Sequence, residues 1–211
     1  MQQVQHGANP PPQLAAAHAA EPLPADPAVS WQAFAGKQEL RADLWPRQHG
    51  RCAYCERCVP IQSTPIEHIR PKSRRRFPQC TFLYQNLVLS CDTLGTCTDH
   101  KADDWDEAFI TPTDGRCETW FRCELNGLLG PADGLLEPDR DAVNLTIRMV
   151  NLNHPHLKRA REQLLQTIEL ACADMVNQRD ALQAFLTGEL LHNDHEKPFF
   201  SCKRQYFGDS A

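Results

Sequence analysis

The chain has 211 residues, 41% of them hydrophobic and 23% charged, with a net charge of -5. That length suffices for one domain with a proper core or for a small domain with appendages, and the acidic balance excludes nucleic-acid binding through bulk positive charge, so any such contact must come from a local patch. No window approaches a membrane-spanning run and the start shows no basic stretch followed by an apolar one, so neither a span nor a secretory signal is expected and a cytoplasmic location is the default. In such a chain the ten cysteines are expected as metal ligands and buried thiols rather than a disulfide frame.

Residues 1–30 are rich in proline and alanine and hold no Lys or Arg. A segment of that composition buries little apolar surface, so a flexible tail is expected, with at most a short helix through Ala15–Ala20. The spacing of Trp31, Phe34, Leu40, Leu44 and Trp45 predicts one or two short helices up to Gln48. A turn follows, closed by Cys52-Ala53-Tyr54-Cys55. Residues 61–69 and 87–91 read as two strands, and Thr98-Asp99-His100-Lys101 opens like a helix. Residues 31–115 are thus expected to form a core in the order strand, loop, strand, helix. Beyond it, residues 116–211 are read as a hairpin plus a helical region, packed on that core or docking a partner. The hairpin turns at Asn126-Gly127. A helix is predicted over Asp141–Leu152, and a long one from Pro155 to about Leu186, stopped by Gly188 and packing through Leu157, Leu164, Ile168, Cys172, Met175 and Leu182.

Two groups of residues carry chemistry. Cys52 and Cys55 have the two-residue spacing of a zinc knuckle, and Cys91 with Cys97 supplies a second pair if Asp92–Thr96 bulges out. Cys58 repeats the spacing from Cys55 and could replace one ligand; a set of reduced buried thiols is the plainer alternative. Between the two pairs lies Glu67-His68-Ile69-Arg70-Pro71-Lys72. Phosphodiester hydrolysis needs a deprotonated water and neutralisation of charge on the phosphate and the departing oxygen. A near-neutral histidine can serve the first and a divalent ion the second. Adjacent strand residues point to opposite faces, so Glu67 and His68 can divide those tasks. Asn86 could pin the loop or the imidazole tautomer, and His100 would complete the metal shell, with Asp99 as its alternative. Arg70, Lys72, Arg74, Arg75 and Arg76 crowd into the loop after the pair, a cationic anomaly in an acidic chain that suits a phosphate backbone.

On the segments Cys52-Ala-Tyr-Cys55-Glu56, Glu67-His68-Ile-Arg-Pro71-Lys72-Ser73, Asn86-Leu87-Val88-Leu89-Ser90-Cys91 and Cys97-x-x-His100-Lys101, the chain resembles the HNH, or ββα-metal, endonucleases. More narrowly it is similar to the HNH subunit of Septu-type antiphage systems, also found attached to some retrons. That likeness extends to Trp120-Phe121, Asn126-Gly127 and the stretch from Thr146 to Arg161, and so covers roughly residues 40–165. It implies an α+β fold with a zinc-stapled ββα-metal core, flanking helices and a long C-terminal helix. It further implies an endonuclease with structural Zn²⁺ on Cys52, Cys55, Cys91 and Cys97, catalytic Mg²⁺ or Mn²⁺ near Glu67, His68 as general base and Asn86 as the middle Asn. The implied partners are nucleic acid (DNA or tRNA) and an ABC/SMC-type ATPase subunit. One departure from the family pattern is that Thr98 follows Cys97 where the final His or Asn ordinarily lies nearer the last cysteine. Two other readings compete: a non-catalytic zinc-stapled adaptor that holds nucleic acid through its arginines, and a restriction or homing-type nuclease acting alone.

Overall fold

The computed structural model describes residues 1–73, 75–175, 177–189 and 197–207. The chain enters through three helices, α1 (Pro12–Ala20), α2 (Pro27–Ala33) and α3 (Lys37–Arg47). Strands β1 (Ile66–His68) and β2 (Leu87–Leu89) then pair antiparallel, with Ile66 opposite Leu89, Glu67 opposite Val88 and His68 opposite Leu87. The short helix α4 (Cys97–Lys101) follows. After α5 (Arg116–Thr119), a second antiparallel pair forms from β3 (Phe121–Cys123) and β4 (Leu129–Pro131). The chain closes with α6 (Glu137–Met149), α7 (Pro155–Asp174), α8 (Arg179–Glu189) and α9 (Phe200–Phe207). No helix among the described residues is long and apolar enough to cross a membrane.

The three-residue strands β1 and β2 divide the interior in two because side chains alternate across them. Leu87 and Leu89 face a core built with Leu14, Trp31, Leu40, Leu44, Phe82 and Tyr84. Val88 faces the other, with Tyr54, Phe109, Ile110, Phe121, Val143 and Leu152. A strand pair this short needs its open edge satisfied. Gln48 does so with its side chain: Oε1 accepts from Leu89 N at 2.7 Å while Nε2 donates to the Leu89 and Arg51 carbonyls. Ala53 N adds a bond to Leu89 O at 2.9 Å, which docks the first cysteine knuckle on the end of β2. Behind the knuckle Glu56 takes a positive φ of 60° and buries its carboxylate, which accepts from Ser201 N at 2.8 Å and from Ser201 Oγ on α9.

Two expectations are corrected. Residues 1–30 are not a detached tail: Val4 and Leu14 are buried, His6 bonds the Leu87 carbonyl at 2.8 Å, and α2 starts inside the segment with Asp26 capping it. Composition averaged over thirty residues hides the few apolar side chains that fill gaps in the core. The long C-terminal helix is instead two, since α7 ends at Asp174 with Met175 as its cap, and Gly188 lies within α8 rather than beyond it. The buried stripe of α7 is Leu157, Arg161, Leu165 and Ile168. Its arginine is anchored by donation from Nε to Gly127 O at 2.7 Å and from Nη2 to Leu152 O at 2.8 Å.

The Asn126-Gly127 turn sits where expected, and Gly127 has a φ of 79°. A Cβ there would meet the Lys158 carbonyl oxygen at 2.1 Å and Glu162 N at 2.9 Å, both backbone. The turn and α7 therefore approach as closely as glycine alone permits. Gly127→Ala is expected to destabilise the chain by about 3 kcal/mol or more. At ~2–4 °C per kcal/mol for a chain of this size, the melting temperature falls by roughly 10 °C, as differential scanning fluorimetry would read. An unchanged melting temperature would mean that this approach is looser than described.

Candidate functional site

The four cysteines of the two pairs converge. Cys52, Cys55, Cys91 and Cys97 are all buried and their sulfurs lie within 4.8 Å of one another, with Cys55 and Cys91 at 3.7 Å. Tetrahedral zinc with bonds of about 2.3 Å requires sulfurs about 3.8 Å apart, so the donor set fits that ion. Hydrogen bonds from the Cys52, Cys55 and Cys97 thiols pull Cys91 below the ordinary thiol range, the anionic character a ligand needs. Cys91 N donates to Cys52 Sγ at 3.3 Å, a backbone contact of the kind that steadies a ligating sulfur. Cys58 is exposed and outside the group. The five-residue gap before Cys97 is accommodated as a loop, with Gly95 at a φ of 76° and its carbonyl held by Asn151 Nδ2 at 2.8 Å.

Glu67 and His68 lie on β1 and turn to opposite faces, as strand geometry requires. Both are buried, at 6% and 4% exposure. Glu67 Oε1 meets Lys101 Nζ at 3.0 Å, and the same ammonium donates to the His68 carbonyl at 3.3 Å. Burial pushes the Glu67 carboxyl above its ordinary range, against the opposing pull of Lys101, Thr98 and Lys72. On the other face the His68 ring meets the edge of Trp31 at 4.5 Å between centroids, and its Nε2 lies 3.0 Å from the Thr81 carbonyl oxygen. Burial, with Lys72 adding to it, lowers His68 to about 3, so the ring is neutral at physiological pH. Lys72, half-buried, is itself drawn down by burial and lies within electrostatic reach of Glu67, Asp103 and Lys101.

Asn86 pins the loop that leaves β1. Its Oδ1 accepts from Arg70 N at 2.8 Å, and its Nδ2 donates to the Arg70 and Cys80 carbonyls at 2.9 and 3.1 Å. Of the two roles open to it in the sequence, the structure shows the loop-holding one.

The helical histidine does not join the pair. His100 is exposed and its Nδ1 lies 3.0 Å from the Met149 carbonyl oxygen on α6, while Asp99, also exposed, accepts from Gly95 N at 2.7 Å. The residues of α4 that turn to Glu67 are Thr98 and Lys101, three apart and so on one face of the helix, with Asp99 and His100 rotated off it. Thr98 Oγ1 is buried beside the Glu67 carboxylate. Sequence reasoning missed both residues. The available signal was the departure already noted, a threonine directly after the last cysteine. In the basic loop Arg70, Arg75 and Arg76 are exposed, and Arg74 lies outside the described residues.

Lys101 and Glu67 form a buried pair whose separation would be costly. Lys101→Met is expected to destabilise the chain by about 3–5 kcal/mol because an unpaired carboxylate remains inside. Glu67→Gln added to it should recover most of that loss, as a double-mutant cycle in urea would show. Additive losses would place the two groups out of contact.

A strand pair with an adjacent glutamate and histidine, followed by a helix, makes an α+β arrangement whose four-cysteine cluster is compatible with zinc and adjoins a second, polar centre. No protein-family model matches the chain. A protein of Vibrio cholerae serotype O1 biovar El Tor, named "Retron Vc95 putative HNH endonuclease", is 31% identical to it over 137 residues, which make up 63% of this chain and 66% of that relative. The chain is thus similar over most of its length to a retron protein that carries the HNH endonuclease name. It spans just under two thirds of that relative's length.

Proposed function

We propose that this chain is a metal-dependent HNH endonuclease with a zinc-stapled ββα-metal core, which hydrolyses nucleic-acid phosphodiester bonds as the effector of an antiphage complex containing an ABC/SMC-type ATPase. The likeness to a relative named as an HNH endonuclease supports the nuclease reading, and the word retron in that name supports the defence setting. One contact carries the mechanism. A carbonyl oxygen can only accept, so the His68 nitrogen beside Thr81 O holds the ring's single proton and Nδ1 keeps a free lone pair. A neutral imidazole locked in that tautomer presents its lone pair to a water as a general base, and a bound phosphate's negative charge would raise its basicity from the low value that burial imposes. Asn86 and the Thr81 carbonyl are positioning groups, the first for the loop and the second for the ring.

Oxygens for a hard cation are at hand in the Glu67 carboxylate and the buried Thr98 hydroxyl beside it. Mg²⁺ or Mn²⁺ retains most of its waters and needs only one or two protein oxygens, so these residues fit it. Such an ion would neutralise charge on the phosphate and the departing oxygen. Lys72 and Lys101 add fixed positive charge at the same place, where burial strengthens it. The soluble, cytoplasmic setting belongs to this proposal as well.

The adaptor reading keeps one observation of its own: Lys101 already neutralises Glu67, and among the described residues no group of three or more metal-ligating side chains gathers around Glu67. Incubation of the purified complex with plasmid and total tRNA separates the two readings. Cleavage with Mg²⁺ or Mn²⁺ that EDTA abolishes is expected of the nuclease, and retention without cleavage of the adaptor.

A further inference from the structure

Beside the His68 hairpin, two aromatic rings and two arginines meet at the surface. Arg70 lies over Trp105 at 5.0 Å and over Phe77 at 5.7 Å, and Arg76 lies over Phe77 at 5.5 Å. The rings of Phe77 and Trp105 meet edge to face at 5.9 Å, and Phe109, buried, supports Trp105 from below at 6.0 Å. Trp105 and Phe77 are only half-buried, and both arginines are exposed. Arg76 Nη2 donates to the Trp105 carbonyl at 3.3 Å, and Trp105 Nε1 donates to Glu107 Oε1 at 2.9 Å. Apolar burial alone does not account for a cluster that keeps its rings at the surface under guanidinium planes.

Its position ties it to the proposed chemistry. Arg70 is two residues after His68, and its backbone is the part Asn86 clamps. Trp105 is four residues after Lys101, the partner of Glu67. The charge around it is unusual for a phosphate site. Asp103, Asp104, Asp106 and Glu107 flank Trp105 and are exposed, and Glu107 pairs with Arg70 at 3.6 Å. A duplex presents its phosphate ridges to a surface, and four carboxylates repel them. An unpaired base presents a neutral π-face, which stacks on aromatic rings and guanidinium planes regardless of sequence.

We propose that Trp105 and Phe77, with Arg70 and Arg76 over them, form a stacking site for an unpaired nucleobase, which makes single-stranded nucleic acid the substrate class of the adjoining centre. This rests on the nuclease reading of that centre. Phosphates on either side of the stacked base would run toward Lys72 and Arg75, away from the acidic segment.

The test uses the full chain carrying His68→Ala, so that oligonucleotides are bound without being cut. Fluorescence anisotropy compares a single-stranded DNA, a single-stranded RNA and a blunt duplex DNA of equal length. Trp105→Ala is expected to weaken binding of the single strands about tenfold and to change duplex binding less than about twofold, with Trp105→Phe restoring most of the loss. Because Trp105 touches Phe109, Phe77→Ala serves as a second variant with the same expected pattern. Quenching of tryptophan emission by unlabelled poly(dT), lost in Trp105→Phe, reads the stacking without a truncated side chain. Equal losses on single strand and duplex, or none on either, would overturn the inference. The ratio of DNA to RNA binding says which single strand is favoured. Wild-type chain that cleaves duplex and single strand equally would overturn the stacking site while leaving the nuclease reading intact, whereas absence of any cleavage would count against the nuclease reading itself.

Discussion

His68→Ala is expected to lower metal-dependent cleavage by about 10²–10⁴-fold, the usual contribution of a positioned general base. The loss should appear in the rate of the chemical step with substrate binding retained, since the imidazole is buried and its neighbours Trp31, Thr81 and Lys101 stay in place. Full activity in that variant would remove His68 from the mechanism. The same residue leaves a mark on stability. Its folded pKa, about 3, lies below the ordinary 6.5, so folding favours the neutral ring. The associated stability is complete above pH 6.5 and is lost as pH falls from 6.5 towards 3. Urea titrations of the zinc-loaded chain should show a steeper acid loss in wild type than in His68→Gln, and parallel curves would count against a buried neutral imidazole.

Removal of the zinc site should unfold the chain. Structural zinc contributes about 10–16 kcal/mol to a site that forms only on folding, while the whole stability of a domain is about 5–15 kcal/mol. Cys97→Ser breaks the set at its most enclosed member, with 0% exposure. Metal analysis is expected to show about one zinc per wild-type chain and none in that variant, with loss of the near-ultraviolet circular dichroism from the aromatic residues around Tyr54 and Phe109. Cys58→Ser, outside the group, should keep both its zinc and its spectrum. A metal-free chain that melts at the wild-type temperature would reduce the cluster to buried thiols.

The parts of this site that could be read from the sequence are those in which neighbours along the chain are also neighbours in space. Cys52-x-x-Cys55 is one turn, Glu67-His68 is one step of a strand, and Asn126-Gly127 demands a positive φ at its glycine. Asn86 was legible as a partner of the loop because it stands at the start of the second strand. What escaped is set by rotation and by distance. On the five-residue α4, one position is 100° of turn, enough to carry His100 to α6 while Thr98 and Lys101 face Glu67. A lysine ordinarily reads as surface, and only the buried carboxylate explains why Lys101 is enclosed. Gln48 completes the edge of β2 with an amide that stands in for backbone, a role no periodicity records. The end of α7 at Asp174 has no signal in the sequence, since neither Gly nor Pro stands near it. The Phe77–Trp105 contact spans 28 positions, so the aromatic platform has no local pattern.

The bond between Glu56 and Ser201 bears on the time at which the protein becomes competent. Glu56 directly follows Cys55, and its enclosed carboxylate finds its serine partner 145 residues later. During synthesis the two cysteine pairs emerge early, yet the charge beside them stays without that partner until α9 has left the ribosome. Closing so long a loop is slow relative to local turns, and large chains complete such contacts last. A nascent chain would therefore hold its hairpin and knuckle in an unfinished state until α9 docks.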